Sequence, residues 1–296
     1  MSDMPAFLKD HLVEPRGQPQ AAEITDTTPV LERWSFSDWS TFQDCPYLLY
    51  LNKVLAKKYN TLFRPAGKAA VRGNGIHNLL EYSLTHHGKR YDGTALDFMP
   101  EFKDTEFEGL LKGMTADSVP QKGYDRLDGY LDQDIFMQPE KRYNIAEDWT
   151  ETDYESRWLS AIIDGLHLDH ERNQAIVLDW KTGGKYVTKH TKQGSLYAAV
   201  IHHLFPDMDI EVRFVYLDKP QTDDLVINYK HDSTMLQKVC EFWDEQGHIL
   251  TTASKKDFAP AYDFEEIADL PPFHMDVLMD PRNYPDPDFP KPGYIA

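Results

Sequence analysis

Two short apolar runs, each containing an aspartate, constrain the fold of this chain more than any other part of its sequence. The first run covers residues 161–165 and includes Asp164, and the second covers residues 176–183 and includes Asp179 and Lys181. Short β-branched runs bounded by glycine or polar residues are typical of buried strands. A carboxylate inside such a strand is unfavourable unless it is paired or binds a cation. Both aspartates are therefore candidates for a functional site.

The polar residues between the two runs predict a hairpin turn. A hairpin centred between Glu171 and Arg172 places Asp164 directly opposite Asp179, with Cβ atoms roughly 5 Å apart. Two carboxylates at that distance repel strongly unless a cation lies between them, and oxygen ligands suit Mg²⁺ or Mn²⁺. Lys181 lies on the same strand face as Asp179. A metal, a water and a nearby ammonium are what phosphodiester hydrolysis requires; the alternative is a surface hairpin with a simple Asp–Lys pair.

Length and composition indicate one large domain with extensions. The chain has 296 residues, of which 41% are hydrophobic and 12% aromatic. We expect a polar N-terminal arm over residues 1–33, a folded domain over 34–256 and a Pro/Asp-rich C-terminal extension over 257–296 that packs on the domain. No apolar run approaches the ~20 residues that span a bilayer, and the N-terminal residues lack a signal-peptide pattern. Only Cys45 and Cys240 are cysteines, which indicates reduced thiols and a cytoplasmic location.

The net charge of −18 argues against nucleic-acid binding until its distribution is considered. Two windows, residues 45–80 and 180–206, contain no acidic residue. Their basic residues are Lys53, Lys57, Lys58, Arg64, Lys68 and Arg72 in the first, and Lys181, Lys185, Lys189 and Lys192 in the second. Local positive patches on an acidic protein can steer a polyanion. The alternative is that both windows are ordinary solvated helix faces.

Other candidate residues lie on predicted helices and on an edge strand. His77 lies beside an apolar stripe and one turn before Glu81, and by itself such a histidine is more often structural than a ligand. Gln193 and Tyr197 share one face of a later helix. Glu140 opens a predicted edge strand and is a candidate extra ligand. Ser37 is a predicted helix N-cap.

The motifs together resemble the RecB-like (exonuclease-type) branch of the PD-(D/E)xK nuclease superfamily. Residues 73–77 resemble its helical histidine motif and residues 163–165 its first acidic motif. Residues 179–183 resemble its D-x-K motif, and Gln193 with Tyr197 resembles its Q-x-x-x-Y motif. The order and the spacing of the four motifs agree with that branch, although each motif alone is weak.

The resemblance implies an α/β fold with a restriction-endonuclease-like core, in which a central mixed β-sheet is flanked by α-helices. It implies a site for Mg²⁺ or Mn²⁺ whose ligands are His77, Asp164, Asp179 and the backbone carbonyl of Trp180. Lys181 would orient or activate the water and stabilise charge on the phosphate. The residues expected to contact DNA are Gln193, Tyr197, Lys185 and Arg72, with Gln193 and Tyr197 alternatively bracing the site. Tyr186 and Trp180 are candidates for stacking on bases.

One departure from the family pattern concerns the cysteines. Members with an iron–sulfur cluster use an early cysteine and three late ones. Cys45 matches the early position, but only Cys240 follows it. The sequence therefore predicts no iron–sulfur cluster.

The resemblance implies a metal-dependent DNA nuclease, most simply an exonuclease of recombination, repair or phage DNA metabolism. The expected partner is DNA, single-stranded or a duplex end, with a protein partner or a homo-oligomer as a further expectation and no membrane. The alternatives are a structure-specific endonuclease, a ribonuclease and a non-catalytic DNA- or protein-binding module, which the acidic surface favours. The set of Asp164, Asp179 and Lys181 argues against a binding module, because such a module has no need to bury that repulsion.

Overall fold

A computed structural model of the chain describes residues 29–50, 53 and 67–258. These residues fall into two compact units, a larger one within 67–243 and a smaller one made of 29–50, 53 and 244–258. The predicted N-terminal arm and C-terminal extension lie almost wholly outside the described residues. Lys57, Lys58 and Arg64 of the first basic window also lie outside them.

The smaller unit begins with a short strand and two helices. Strand β1 spans Trp34–Ser35, helix α1 spans Phe36–Asp44 and helix α2 spans Pro46–Tyr50. The predicted N-cap Ser37 is wrong by two residues: the extended backbone of Ser35 lets its hydroxyl accept the Asp38 N–H at 3.4 Å, while Ser37 already lies inside α1. Phe258 packs edge-on against Phe42, with ring centroids 5.2 Å apart.

The larger unit begins with helix α3, which spans Lys68–Thr85. As its apolar spacing predicts, one face is buried and joins a core that extends to the central strands. Between α3 and the first strand of this unit lie short 3₁₀ turns, helix α4 over Glu108–Lys112 and helix α5 over Gln121–Leu131. Four acidic residues lie on α5 or just after its end, and all are exposed, as is typical of a solvated face. They are Asp125, Asp128, Asp132 and Asp134.

Six strands of the larger unit support the site. Strands β2 (Lys141–Ile145) and β3 (Leu159–Ile163) pair antiparallel. Strand β4 (Gly165–Asp169) follows β3 after one residue, and then come β5 (Gln174–Lys181), β6 (Asp209–Tyr216) and β7 (Leu225–Tyr229). The last four form a sheet in the order β4-β5-β6-β7, in which β5 and β6 are parallel and the other pairs are antiparallel. The mixed sheet confirms the predicted fold class.

Helix α6 (Val187–Leu204) covers one face of this sheet, and helix α7 (Thr234–Thr252) follows β7. Gly194 lets α6 lie close to β6, because a Cβ at this position would meet Phe214 Cε2 at 3.0 Å. The Trp243 indole donates a hydrogen bond to Ser195 Oγ at 2.9 Å, which joins α7 to α6. In the ranges that the structure describes, no helix is both long and apolar enough to cross a membrane.

Candidate active site

Asp164 occupies the single position between β3 and β4, beside β5. Strands β4 and β5 pair with Gly165 opposite Leu178, which is the register that the predicted hairpin requires. Continued by one residue, this register places Asp164 opposite Asp179. Directly opposed residues of antiparallel strands point to the same face of a sheet. Both aspartates are buried, with 9% and 3% of their surfaces exposed.

Glu140 lies on the other side of Asp164. The neighbouring backbone pairs on either side of this position are Gln138↔Leu166 and Lys141↔Ile163. Both pairs belong to one antiparallel register, so Glu140 lies opposite Asp164, just as Asp179 does on the far side. Glu140, Asp164 and Asp179 therefore form a row across three neighbouring chain segments, which we call the carboxylate row. Pro139 lacks an N–H and interrupts the ladder beside it.

His77 faces the carboxylate row from helix α3. Its Nδ1 lies 3.4 Å from Asp164 Oδ2, and one ligand atom each from His77, Glu140 and Asp164 lie within 4.8 Å of one another. Gly73, one turn earlier, allows this approach: a Cβ there would lie 2.8 Å from Thr182 Oγ1, next to Lys181. The glycine-rich start of the histidine motif thus has a steric role in bringing α3 to the site.

Asp179 is held by three side chains. Lys181 Nζ lies 2.6 Å from Asp179 Oδ1 as an ion pair that is not aligned as a hydrogen bond. The Tyr197 hydroxyl donates to Asp179 Oδ2 at 3.0 Å, and Gln193 Nε2 donates to the Tyr197 hydroxyl at 2.7 Å and to Asp179 Oδ2 at 3.3 Å. Gln193 and Tyr197 thus contact Asp179 directly, an arrangement that suits the bracing role expected of them, while their contact with DNA stays a prediction.

The backbone of β5 orients Asp164. The Trp180 N–H donates to Asp164 Oδ2 at 2.7 Å. The backbone of Trp180 therefore holds the Asp164 carboxylate in its orientation. The Trp180 side chain is only 1% exposed and belongs to the core. The expectation that this ring stacks on DNA bases is therefore wrong, because the ring is packed between α3 and the sheet. Tyr186, which is 65% exposed, is still a candidate for stacking.

The carboxylates repel one another. Burial, together with the charge of Asp164, raises the pKa of Glu140 to about 7. Burial, with Glu140 and Asp164 nearby, raises the pKa of Glu81 to about 8. Burial and Asp164 also raise the pKa of Asp179, although Lys181 opposes them. Burial opposes the ionisation of Asp164, but His77 and Lys181 outweigh it and lower its pKa.

The donor set fits a divalent metal. Carboxylate oxygens are the ligands that suit Mg²⁺ and Mn²⁺, and a neutral imidazole nitrogen is a common metal ligand. The side-chain carboxylates of Glu140 and Glu81 accept no hydrogen bond and form no ion pair among the described residues, although the Glu81 backbone carbonyl accepts from the Thr85 hydroxyl at 2.9 Å. A divalent cation would supply the positive charge that these groups need to ionise, so its binding would release protons. His77, Asp164, Asp179 and the Trp180 carbonyl are still the predicted ligands, and Glu140, the candidate extra ligand, lies close to His77 and Asp164.

Two of the residues expected to contact DNA form pairs within the larger unit. The Arg72 guanidinium donates two hydrogen bonds to the Asp218 carboxylate, at 2.9 and 2.8 Å. Lys185 Nζ donates to the Asp223 carbonyl at 3.1 Å. Both side chains lie at the surface of the unit, where DNA contact is still a prediction. The sequence pattern gave no signal for the Asp218 partner, which is distant in the chain.

A buried histidine next to the site makes stability depend on pH. His190 Nδ1 lies 2.8 Å from the Tyr216 hydroxyl. Burial, with the charges of Lys181 and Lys189, lowers the His190 pKa to about 4. Because the unfolded value is about 6.5, the unfolded state binds more protons between these two pH values. The stability that neutral His190 contributes is thus fully present above about pH 6.5 and is lost as the pH falls towards 4.

We expect that loss to amount to about 1 to 3 kcal/mol. It can be measured by urea unfolding at pH 7.5 and pH 4.5 of the wild type and of His190→Asn, which keeps a polar partner for Tyr216 but does not titrate. The wild type should lose more free energy of unfolding than the variant between the two pH values. An equal loss in both proteins would contradict the assignment of this pH dependence to His190.

Comparisons with known proteins relate this chain to one family. A family model described as the PD-(D/E)XK nuclease superfamily matches residues 33–276, which is more than half of the chain. The crystal structure of SSO0001 is similar over 60% of this chain and 87% of that one, with 14% sequence identity and a TM-score of 0.27, a likeness too low to carry an argument. No curated protein matches the chain. From the family match, with a mixed sheet flanked by helices and an aspartate–lysine site, it follows that this chain belongs to the PD-(D/E)XK nuclease superfamily.

Proposed function

We propose that this chain is a metal-dependent DNA exonuclease of the RecB-like branch, acting in the cytoplasm in recombination, repair or phage DNA metabolism. Membership of the superfamily provides the metal-dependent nuclease chemistry and DNA as the substrate. The observation that carries the proposal is the pair of buried aspartates, Asp164 and Asp179, with Lys181 beside them and His77 facing Asp164. The order of the four sequence motifs supports the exonuclease mode.

Each residue of the site has a separate part in the reaction. His77, Asp164, Asp179 and the Trp180 carbonyl would hold the metal. Mg²⁺ or Mn²⁺, when bound, would neutralise charge on the scissile phosphate and lower the pKa of a water. Lys181, whose Nζ lies 2.6 Å from Asp179, would donate to the phosphate and stabilise the negative charge that develops on it.

The hydroxyl and amide beside Asp179 are positioning groups. Tyr197 and Gln193 both donate to Asp179 Oδ2, so they fix the direction in which its other oxygen, Oδ1, is presented. A carboxylate held in one orientation keeps a ligand geometry that a free side chain would lose to rotation. Arg72 and Lys185, with the exposed Tyr186, are proposed to contact the DNA strand outside the metal site.

Digestion of labelled DNA tests this function. We expect the chain to degrade end-labelled linear DNA in Mg²⁺ or Mn²⁺, to leave covalently closed circular DNA intact and to be inactive in chelator. Asp179→Ala should abolish degradation, because it removes a predicted ligand and the partner of Lys181. The end label released first gives the polarity.

The other outcomes distinguish the alternatives. Cutting of the closed circle would replace the exonuclease mode with an endonuclease mode. Degradation of RNA in preference to DNA would change the substrate class. Binding of DNA without cleavage, at every metal tested, would favour a non-catalytic module. Unchanged activity of Asp179→Ala would contradict the site assignment itself.

A further inference from the structure

We propose that Lys185 binds the phosphate next to the scissile one on the same DNA strand. Tyr216, held by His190, is the positioning residue that sets the distance between this ammonium group and that of Lys181. Lys181 acts on the scissile phosphate, so the two lysines hold consecutive phosphates. This inference rests on the proposed nuclease function, because it places the DNA substrate of that same site.

Two aromatic rings of β6 lie beside the end of β5 that carries the site. In the parallel pairing of these strands, Phe214 lies opposite Asp179. Tyr216 lies opposite Lys181. Residues two apart on a strand point to the same face, and their positions are about 6.6 Å apart. Phe214 and Tyr216, which we call the aromatic pair, therefore form two steps of fixed spacing next to the site.

Each ring of the aromatic pair lies near the ammonium group of one lysine. Lys181 Nζ is 5.4 Å from the Phe214 ring centroid, and Lys185 Nζ is 5.3 Å from the Tyr216 ring centroid. A cation within about 6 Å of a ring centroid is attracted to the face of the ring. The spacing of the rings therefore governs the spacing of the two positive charges, and a step of about 6.6 Å suits neighbouring phosphates of one strand.

The Lys185 ammonium has N–H groups available for a phosphate. Its Nζ donates to the Asp223 carbonyl at 3.1 Å, and an ammonium carries three donors. The side chain is exposed, and residues 180–206 around it contain no acidic residue. The remaining donors can therefore reach phosphate oxygens in a charge-assisted contact.

His190 holds the aromatic pair in place from helix α6. Its Nδ1 lies 2.8 Å from the Tyr216 hydroxyl. Its ring stacks on Phe214, with centroids 5.4 Å apart and planes inclined by 20°. Neither ring of the pair has any exposed surface, and only 6% of His190 is exposed. Tyr216 therefore does not touch DNA and acts only through the lysine beside it.

Single-turnover cleavage of DNA with one neutral linkage tests the contact of Lys185. In two linear substrates, one for each end, an uncharged methylphosphonate replaces the phosphate next to the terminal scissile one. In saturating Mn²⁺ the wild type should cleave the modified end that it attacks about ten-fold more slowly than ordinary DNA. Lys185→Gln should be about ten-fold slower on ordinary DNA and should show no further slowing on the modified substrate. The matched control Lys238→Gln, on exposed α7, should keep the wild-type ratio.

The ratio of the rates on ordinary and modified DNA also tests the positioning role of Tyr216. Tyr216→Phe keeps the ring but breaks its contact with His190, so the ratio should fall to about three-fold or less. His190→Leu breaks the same contact from α6 and should have the same effect. His190→Asn, which keeps a polar partner for the hydroxyl, should retain the wild-type ratio. A merely structural role would slow both substrates equally and leave the ratio unchanged.

The outcomes separate this inference from the function on which it rests. A ratio that stays at the wild-type value in Lys185→Gln would overturn the phosphate contact. An unchanged ratio in Tyr216→Phe and His190→Leu would overturn the positioning role. Normal cleavage by the wild type without any slowing on the modified DNA would overturn this inference alone, whereas absence of cleavage of ordinary DNA would overturn the nuclease function and this inference with it.

Discussion

Replacing Asp164 with asparagine should abolish metal binding and DNA cleavage together. Asp164 is the one carboxylate that lies opposite both Glu140 and Asp179, and its Oδ2 is also 3.4 Å from His77 Nδ1. Asparagine keeps an oxygen that can accept the Trp180 N–H but removes the negative charge that a divalent cation would need. Charge stabilisation by a metal supplies several kcal/mol to the transition state, and each 1.36 kcal/mol is a factor of ten in rate. We therefore expect cleavage to fall by at least about a thousand-fold.

Two measurements on the same preparation check this prediction. Mn²⁺ titration should show no tight binding to Asp164→Asn, and the rate of degradation of linear DNA should reach background. Asp128→Asn, an equivalent change at an exposed position of α5, should leave both unchanged. A variant that still binds metal and degrades DNA would mean that the metal ligands lie elsewhere.

Replacing Lys181 with glutamine should reduce cleavage while metal binding is retained. The Lys181 ammonium is 2.6 Å from Asp179 Oδ1, so it competes with a cation for that oxygen. Its removal should therefore leave Mn²⁺ affinity equal or higher. The loss of a donor that stabilises charge on the phosphate should lower the rate about 100- to 1000-fold.

Slower DNA cleavage with unchanged Mn²⁺ binding would identify Lys181 as a catalytic residue. Both can be measured, with saturating Mn²⁺ in single-turnover digestion, beside a titration of each protein. Lys238→Gln, on the exposed face of α7, is the matched control and should behave as wild type. If Lys181→Gln instead weakened metal binding and left the saturated rate intact, Lys181 would be a structural partner of Asp179 rather than a catalytic residue.

Much of the site could be predicted from the sequence because the hairpin that holds it is local. Asp164 immediately precedes β4, and Asp179 and Lys181 lie on β5, which a short turn joins to β4. The turn sets the register in such a hairpin. The pairing of Gly165 with Leu178 is the consequence. Helices α3 and α6 could be predicted for the same reason, because the spacing of their apolar residues is visible within a short stretch of sequence.

The direction of the Trp180 side chain could not be predicted from the sequence. Its place after Asp179 marks it as part of the motif, but nothing in the sequence shows which way its ring points. In the structure the ring is buried in the core beneath α3, so only its backbone serves the site. The contacts of Tyr197 and Gln193 with Asp179 likewise depend on how α6 packs on the sheet.

The sequence by itself determined the aspartate–lysine pair and the histidine helix, because each depends on neighbours within a few residues. It indicated the fold class through the family that its four motifs resemble. Only the tertiary structure decided that Glu140 lies opposite Asp164. Lys141 pairs with Ile163 across a long connection, and no turn of fixed length sets that register. The energy that selects it comes from burying both strands in the core, and that burial brings the third carboxylate of the row to the site.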